Sequence, residues 1–491
     1  MSVFGDAMKP SNVLFIFSDE HSRRVLGCYG HKMIRTPNLD ALAARGVRFT
    51  DAYCNSPICV PSRASLATGQ YVHKIRFWDN GIPYDGSVPS WHHRLKQAGH
   101  EVVSIGKLHF RSIDDDNGFT EEVMPLHVVE GIGDPAGWLR EPLVERRAAL
   151  RLAKDAGRGD SDYQGYDGRI TDAAVDWLKA RATQAGGKPW VLFVSLVCPH
   201  FPLIARPEWY DLYPEDKMPI PALYDPAEWP DHPYVRAIRA CQVYQKGFAE
   251  NPGSLQRALA AYFGLVSYVD HNVGRLVAAL AESGLAETTR VLYSSDHGDN
   301  LGTRGLWGKS TMYEESAGVP MIMAGPGLPE GQACRDPVSL VDVFPSVLSW
   351  AGVAPNPADR DLPGLPLDEV ARTSPKRTIL CEYHAAGAAT GAFLIRKGPF
   401  KYVYYAGMPA QLFDLDTDPQ EAHDLAGDPA WQGLAAECER ELRTVVDPDA
   451  ADALAKSDQR ARIAAYGGRE AILNLGSFGH SPVPGVKPVY N

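Results

Sequence analysis

The sequence predicts an α/β protein. A large, mainly parallel sheet sandwiched by helices spans residues 1–375, a smaller antiparallel sheet with a helix spans 376–448, and a tail spans 449–491. Three observations carry that reading. Short apolar runs alternate with helical stretches, the pattern of strands joined by crossover helices. Four of the runs end directly on Asp, Lys or His, as strands of an open α/β sheet do where they deliver side chains to a ligand. Near the C-terminus two strand-like segments flank a tight turn at Ala406-Gly407.

Taken in order, the apolar run Asn12–Ser18 reads as a buried parallel strand that stops on Asp19-Glu20. Thr36–Gly46 reads as a helix, with Thr36 as cap, Pro37 in the first turn and Gly46 as stop. Val47–Tyr53 alternates like a strand. Glu101–Gly106 is a strand followed by Lys107-Leu108-His109. Residues 111–188 are less regular, with a helix over Thr171–Arg181. Pro189–Val197 is a strand ended by Cys198-Pro199-His200, and the Pro-rich stretch 201–233 reads as a surface excursion. A helix over Leu255–Glu282 is expected to break or kink near Asp270. Arg290–Ser295 is a strand followed by Asp296-His297-Gly298, and Val319–Gly325 is one more. Lys401–Tyr405 and Gln411–Leu415 belong to the small sheet. The tail begins as a helix and ends with too few regular apolar positions to fold alone, which predicts an arm packed on its own chain or on a neighbour in a homo-oligomer.

Composition narrows the classes. Hydrophobic residues at 45% and charged residues at 22% fit a folded globular chain. A net charge of −11 without a Lys/Arg-rich run argues against a nucleic-acid surface, and an anionic substrate would need a local positive site. The longest apolar run, Trp190–Cys198, is about nine residues where a membrane span needs ~20. Residues 1–12 lack the apolar core of a signal peptide. Eight scattered cysteines show neither metal-ligand nor disulfide spacing. The expected location is the cytoplasm, with no membrane partner.

The most informative stretch is Cys59-Val60-Pro61-Ser62-Arg63, continuing to Thr68-Gly69. It suits a short helix with Cys59 at its N-terminus, where free N–H groups and the dipole favour an anion, and Arg63 adds a fixed positive charge. A lone Cys is more often a small buried hydrophobe, and a low-pKa thiolate nucleophile is a second ordinary reading. Asp19, Glu20, Asp296 and His297 make a divalent-cation site. Carboxylates suit Ca²⁺, Mg²⁺ or Mn²⁺, and the imidazole tilts the choice toward Mn²⁺. An isolated Asp is more often a cap or turn residue. Asp-His-Gly after a strand is more specific, Gly298 permitting a tight turn.

Cys-x-Pro-Ser-Arg-x-x-x-x-Thr-Gly at 59–69 resembles the signature of the type I sulfatases, of alkaline phosphatase-like fold. Thr36–Asp40 and Gln411–Pro419 extend the resemblance over roughly residues 11 to 430, and Tyr53–Pro57 is close to the choline-sulfatase and phosphonate monoester hydrolase branch. The resemblance implies that Cys59 is converted to formylglycine by a formylglycine-generating enzyme, and that its hydrate binds one divalent ion, Ca or Mn rather than Mg. It implies that Lys107, His109, His200 and Lys309 bind sulfate and move protons. Lys107, Lys309 and Arg63 would meet the sulfate oxygens, His200 would act as general acid with Lys309, and His109 as base. Asn80 is a candidate for contacting the nucleophile or the anion. The family commonly has Asp-Asp where this chain has Asp19-Glu20, so Asp19 is the firmer ligand.

The function these residues imply is hydrolysis of sulfate monoesters. The alternatives are a phosphonate monoester or phosphodiester hydrolase using the same site, and a metal-binding relative in which Cys59 stays a thiol. Gly106-Lys107-Leu108-His109 favours sulfate, because the phosphonate enzymes carry neutral hydroxyl side chains at the Lys and His places. Residues 111–165, 201–245 and 382–390 are expected to wall the alcohol pocket. A choline substrate would call for an aromatic and a carboxylate, with Trp138 and Glu382 as candidates.

Overall fold

Alternate residues of the first strand, β1 (Asn12–Asp19), face opposite ways. Val13, Phe15 and Phe17 join one core cluster, and Leu14 and Ile16 join another. All five are fully buried. A strand covered on both faces reads as an unbroken apolar run, which is why β1 was legible. The structure is a computed structural model and describes residues 9–183, 186–476, 478–488 and 490.

Seven further strands complete the large sheet: β2 (Gly46–Phe49), β3 (Val102–Lys107), β4 (Glu121–Leu126), β5 (Val191–Pro199), β6 (Thr289–Ser295), β7 (Met321–Ala324) and β8 (Gln332–Cys334). Their order is β8-β2-β7-β6-β1-β5-β3-β4. Only β7 runs antiparallel to its neighbours. β1 pairs in parallel with β6, from Asn12 opposite Thr289 to Ser18 opposite Ser295, and with β5 on its other side. The four strands that end on polar residues, β6, β1, β5 and β3, are therefore consecutive, and their carboxyl ends form one rim.

The helices that matter for the site are α1 (Pro37–Ala44), α2 (Cys59–Thr68), α3 (Asp162–Arg181) and α4 (Ser254–Glu282). The antiparallel sheet β9 (Ile379–Tyr383), β10 (Ala392–Lys397), β11 (Phe400–Tyr405) and β12 (Met408–Asp414) follows. One face of it packs with Leu442 and Cys438 of α5 (Gln432–Val445), and its other face, with Cys381, Leu394 and Val403, merges into the main core. Buried charges also join the two parts. Lys401 on β11 holds Glu314 at 3.0 Å and contacts Glu421, while Arg304 of the large part reaches Glu421 at 4.0 Å.

Several expectations need correction. α4 does not break at Asp270: the helix is continuous, and the buried Asp270 carboxylate accepts from Asn38 N at 3.2 Å and Leu39 N at 2.8 Å, capping α1 from outside. α3 starts nine residues before Thr171, its early turns masked in the sequence by Gly165 and Gly168. Val47–Tyr53 splits into β2 and a two-residue strand at Ala52–Tyr53. The 201–233 stretch is not simply superficial, since Tyr210, Tyr213 and Met218 enter the core. The tail forms α6 (Pro448–Ala465) and a short helix at Arg469–Leu475, and then runs back over its own chain. No helix among the described residues is long and apolar enough to cross a membrane.

Candidate active site

Ile58, the residue before α2, has no side chain able to cap a helix, so Asn80 does it from outside: its Oδ1 accepts from Val60 N at 3.0 Å. Cys59 is thus held as the first helical residue, and Gly69 closes the helix in the left-handed conformation. Around Sγ of Cys59 lie His297 Nε2 at 3.2 Å, Lys309 Nζ at 3.4 Å and Asp19 Oδ1 at 3.7 Å.

Asp19, Cys59, Asp296 and His297 place one ligand atom each within 4.8 Å of one another, all buried. His297 Nδ1 sits 3.1 Å from Gly298 O, and a carbonyl can only accept, so the proton is on Nδ1 and Nε2 keeps its lone pair for a ligand role. Two carboxylates and a bare imidazole nitrogen fit a divalent cation, with Cys59 Sγ as the fourth group. Asp19, Glu20 and His200 form an adjoining group. Glu20 turns toward it: Oε2 lies 3.1 Å from Lys309 Nζ and 3.3 Å from His200 Nε2, while Oε1 has no hydrogen-bond partner among the described residues. Burial raises the Glu20 carboxyl well above its usual range against the pull of Lys309.

Burial also pushes Asp19 upward, but Lys107, His200, Arg63 and Lys309 together hold it well below the ordinary carboxylate range. Lys107 Nζ is 2.5 Å from Asp19 Oδ2. Arg63 is spent on structure. Its Nε donates to Asp296 Oδ2 at 2.8 Å, Nη2 to Asp19 Oδ2 at 3.1 Å, and Nη1 to Lys107 O at 2.9 Å and Ser195 Oγ at 3.0 Å. It does not line the cavity. The expectation that Arg63 meets the substrate's oxygens is corrected: it orients the two carboxylates.

Burial and Asp19 push the Cys59 thiol up to about 11. A thiolate nucleophile is therefore disfavoured, despite the helix N-terminus. His200 is neutral in this arrangement: Nδ1–H donates to Phe201 O at 2.5 Å and Nε2 accepts from Lys309 Nζ at 2.8 Å. Burial, then Lys309, holds His200 well below its usual value, while Cys59, Glu20 and the two Asp residues outweigh burial and raise Lys309. The mobile proton of the pair is on the lysine. A ring Asp299–Gly308 places Lys309: Asp299 Oδ1 accepts from Gly308 N at 2.9 Å, and Asn300 donates N–H and Nδ2–H to Gly308 O, each at 2.7 Å.

Two glycines are required by geometry. A Cβ on Gly106 would lie 2.3 Å from Ser195 O, and its φ of +101° is unfavourable for other residues. Gly298 has no positive φ, so the tight-turn reason is replaced by room: a Cβ there would be 2.0 Å from Glu315 O.

The cavity above Cys59 measures about 390 Å³. Lys107, His109, His200, Lys309 and Asn80 all open onto it. Asp19, Glu20, Asp296 and His297 lie beneath and do not line it. Trp138 and Glu382 are excluded as a choline cage, because neither lines the cavity. Trp138 Nε1 is 3.1 Å from Asp79, and Glu382 sits between His73 at 2.9 Å and His384 at 3.1 Å. Tyr163, Tyr244 and residues 478–483 of the tail also line the cavity. Tyr163 and Tyr244 fall within the 111–165 and 201–245 stretches expected to wall the pocket, whereas the tail residues were not foreseen, since nothing in their local pattern sets them apart.

Residues 11–353 match the family described as sulfatase, and 302–447 match the family described as N-sulphoglucosamine sulphohydrolase, C-terminal. The choline-sulfatase of Rhizobium meliloti (strain 1021) is 33% identical over 484 residues, covering 94% of this chain and 91% of its own. Arylsulfatase K of Rattus norvegicus is 29% identical over 464 residues, covering 89% and 78%. The solved phosphonate monoester hydrolase of Agrobacterium radiobacter superposes with a TM-score of 0.69 at 22% identity, covering 89% of this chain and 95% of that one.

Proposed function

Because the chain belongs to the sulfatase family, we propose that it hydrolyses sulfate monoesters using Cys59, converted to formylglycine by a formylglycine-generating enzyme, and one calcium or manganese ion held by Asp19, Asp296 and His297. The observation that carries this is the position of Cys59 Sγ, 3.2 Å from the ligand-side His297 and 3.4 Å from the cavity-side Lys309. The metal, when bound, supplies Lewis-acid polarisation at that point, and the modified side chain supplies the nucleophilic oxygen.

The rest of the chemistry belongs to the chain's own residues. Lys107 and Lys309 present fixed cations to the sulfate oxygens in a buried site, where charge-assisted contacts are strong. Arg63 keeps both carboxylates in place. Lys309 Nζ, bonded to His200 Nε2, supplies the proton to the departing alcohol, so the general acid is the pair rather than His200 alone. His109 is a neutral base. Burial and Lys107 hold it well below its usual value, and its Nδ1 has no hydrogen-bond partner among the described residues.

The second reading is phosphonate monoester or phosphodiester hydrolysis at the same site, favoured by the shared fold. Lys107 and His109 favour sulfate. The test compares kcat/KM for p-nitrophenyl sulfate and p-nitrophenyl phenylphosphonate on protein whose Cys59 peptide is shown by mass spectrometry to be converted. A phosphonate value tenfold higher, about 1.4 kcal/mol of transition-state preference, overturns the assignment. An aryl, choline and sugar sulfate panel identifies the alcohol. We further propose a cytoplasmic location, supported by eight unpaired cysteines, and a homo-oligomer, tested by solution mass.

A further inference from the structure

We propose that the C-terminal segment is a working part of the site and that Ser481 positions His109 for its role as base; this rests on the sulfatase reading above. Ser481 Oγ lies 2.9 Å from His109 Nε2, across 372 positions of sequence. His109 Nδ1 has no partner among the described residues, so Ser481 is the hydrogen-bonding anchor of the ring.

Ser481 is itself fixed. Its carbonyl accepts from Tyr163 OH at 2.5 Å, and Tyr163 is buried near the start of α3. The Tyr163 ring meets His480 edge-on at 5.4 Å and His200 at 5.9 Å. Two residues on, Val483 enters the core cluster that holds Leu14 and Ile16 of β1. The segment thus reaches His109 directly and His200 through Tyr163, and Phe478–Val483 contribute one wall of the cavity. His109 is also held from its backbone, in the left-handed region at φ +60° with its N–H on Leu126 O at 2.8 Å.

The chemistry of a hydroxyl suits this post. Accepting from Nε2–H, it leaves the lone pair on Nδ1, the nitrogen free to take a proton. When Nδ1 gains that proton the Nε2–H bond persists, and the proton leaves to water through the cavity between turnovers. A carboxylate in the same place would hold the imidazolium and hinder that release.

The experiment compares Ser481→Ala, Ser481→Thr, His109→Ala and the double variant on converted, metal-loaded protein with p-nitrophenyl sulfate. Partners that orient an imidazole are typically worth about 10–100-fold. We expect Ser481→Ala to lower kcat about tenfold or more with KM within about twofold, and Ser481→Thr, which keeps the hydroxyl, to recover most of it. Once His109 is absent, adding Ser481→Ala costs nothing further. Wild-type kcat in Ser481→Ala, or additive losses in the double variant, overturns the proposal. An imidazole ¹⁵N spectrum provides a readout independent of turnover. Wild-type His109 shows one Nε2–H tautomer and Ser481→Ala a mixture; identical spectra also overturn it. Absence of sulfate turnover in the wild type refutes the sulfatase reading, while the spectrum still decides the place of Ser481.

Discussion

Replacing Arg63 by lysine keeps the charge and removes the fork. Four hydrogen bonds are at stake: two to the carboxylates of Asp296 and Asp19, one to Lys107 O and one to Ser195 Oγ. A lysine ammonium can sit near the two carboxylates but cannot also span to Lys107 O and Ser195 Oγ. Each buried acceptor left without a donor costs about 1–3 kcal/mol, so the two lost by Arg63→Lys should destabilise the fold by about 2–6 kcal/mol. The carboxylates also lose their fixed orientation, and metal affinity should fall about 10–100-fold. Arg63→Met, which strips a buried cation from two anions, should cost about 3–5 kcal/mol. The assays are denaturant melts and metal titration of the apoprotein, followed by kinetics at saturating metal. Because Arg63 does not line the cavity, KM for sulfate ester should then return to the wild-type value. Unchanged metal affinity together with a tenfold rise in KM would refute the reasoning and restore Arg63 to the substrate.

Three further outcomes are expected. Asp79 is fully buried and its carboxyl is raised to about 6, by burial first, against an unfolded value near 3.9. Its stabilising contribution is full below the unfolded value and is lost as pH rises through 6, so Asp79→Asn should gain up to about 3 kcal/mol on the wild type between pH 4 and 8 in denaturant melts; a constant difference would contradict this. Lys401→Met leaves Glu314 and Glu421 without their shared cation and should cost about 3–5 kcal/mol, read by thermal and denaturant unfolding. Gly106→Ala meets both Ser195 O and an unfavourable φ, and should cost more than about 2 kcal/mol while displacing Lys107 and His109, seen as a joint loss of stability and kcat.

The rim of the sheet was legible because each of its strands is buried on both faces and ends abruptly on a polar residue. That contrast in hydropathy needs no knowledge of contacts. Cys59 was legible because Pro61 and Gly69 bracket a helix. What escaped depends on through-space partners. Asp270 looked like a helix breaker because an Asp within an apolar helix is costly unless amides from elsewhere meet it, and those amides come from α1. Arg63 looked like a substrate cation because its four acceptors lie on other strands. The reversed direction of β7 leaves no mark on its composition. The cavity wall from the tail was hidden for the same reason: Gly479-His480-Ser481-Pro482 has no periodicity, and its place is fixed by Tyr163.

The joining of Ser481 to His109 also has a temporal side. In a growing chain Cys59 leaves the ribosome about 400 residues ahead of the segment that closes over it, an interval of about 20–80 s at ordinary translation speeds. Within that interval, once Asp296 has emerged about 185 residues before Ser481, the thiol-bearing helix and the rim of the sheet can be assembled while the cavity still lacks a wall. The same order that delays closure of the site leaves a period in which Cys59 is open to reagents that the finished cavity would screen.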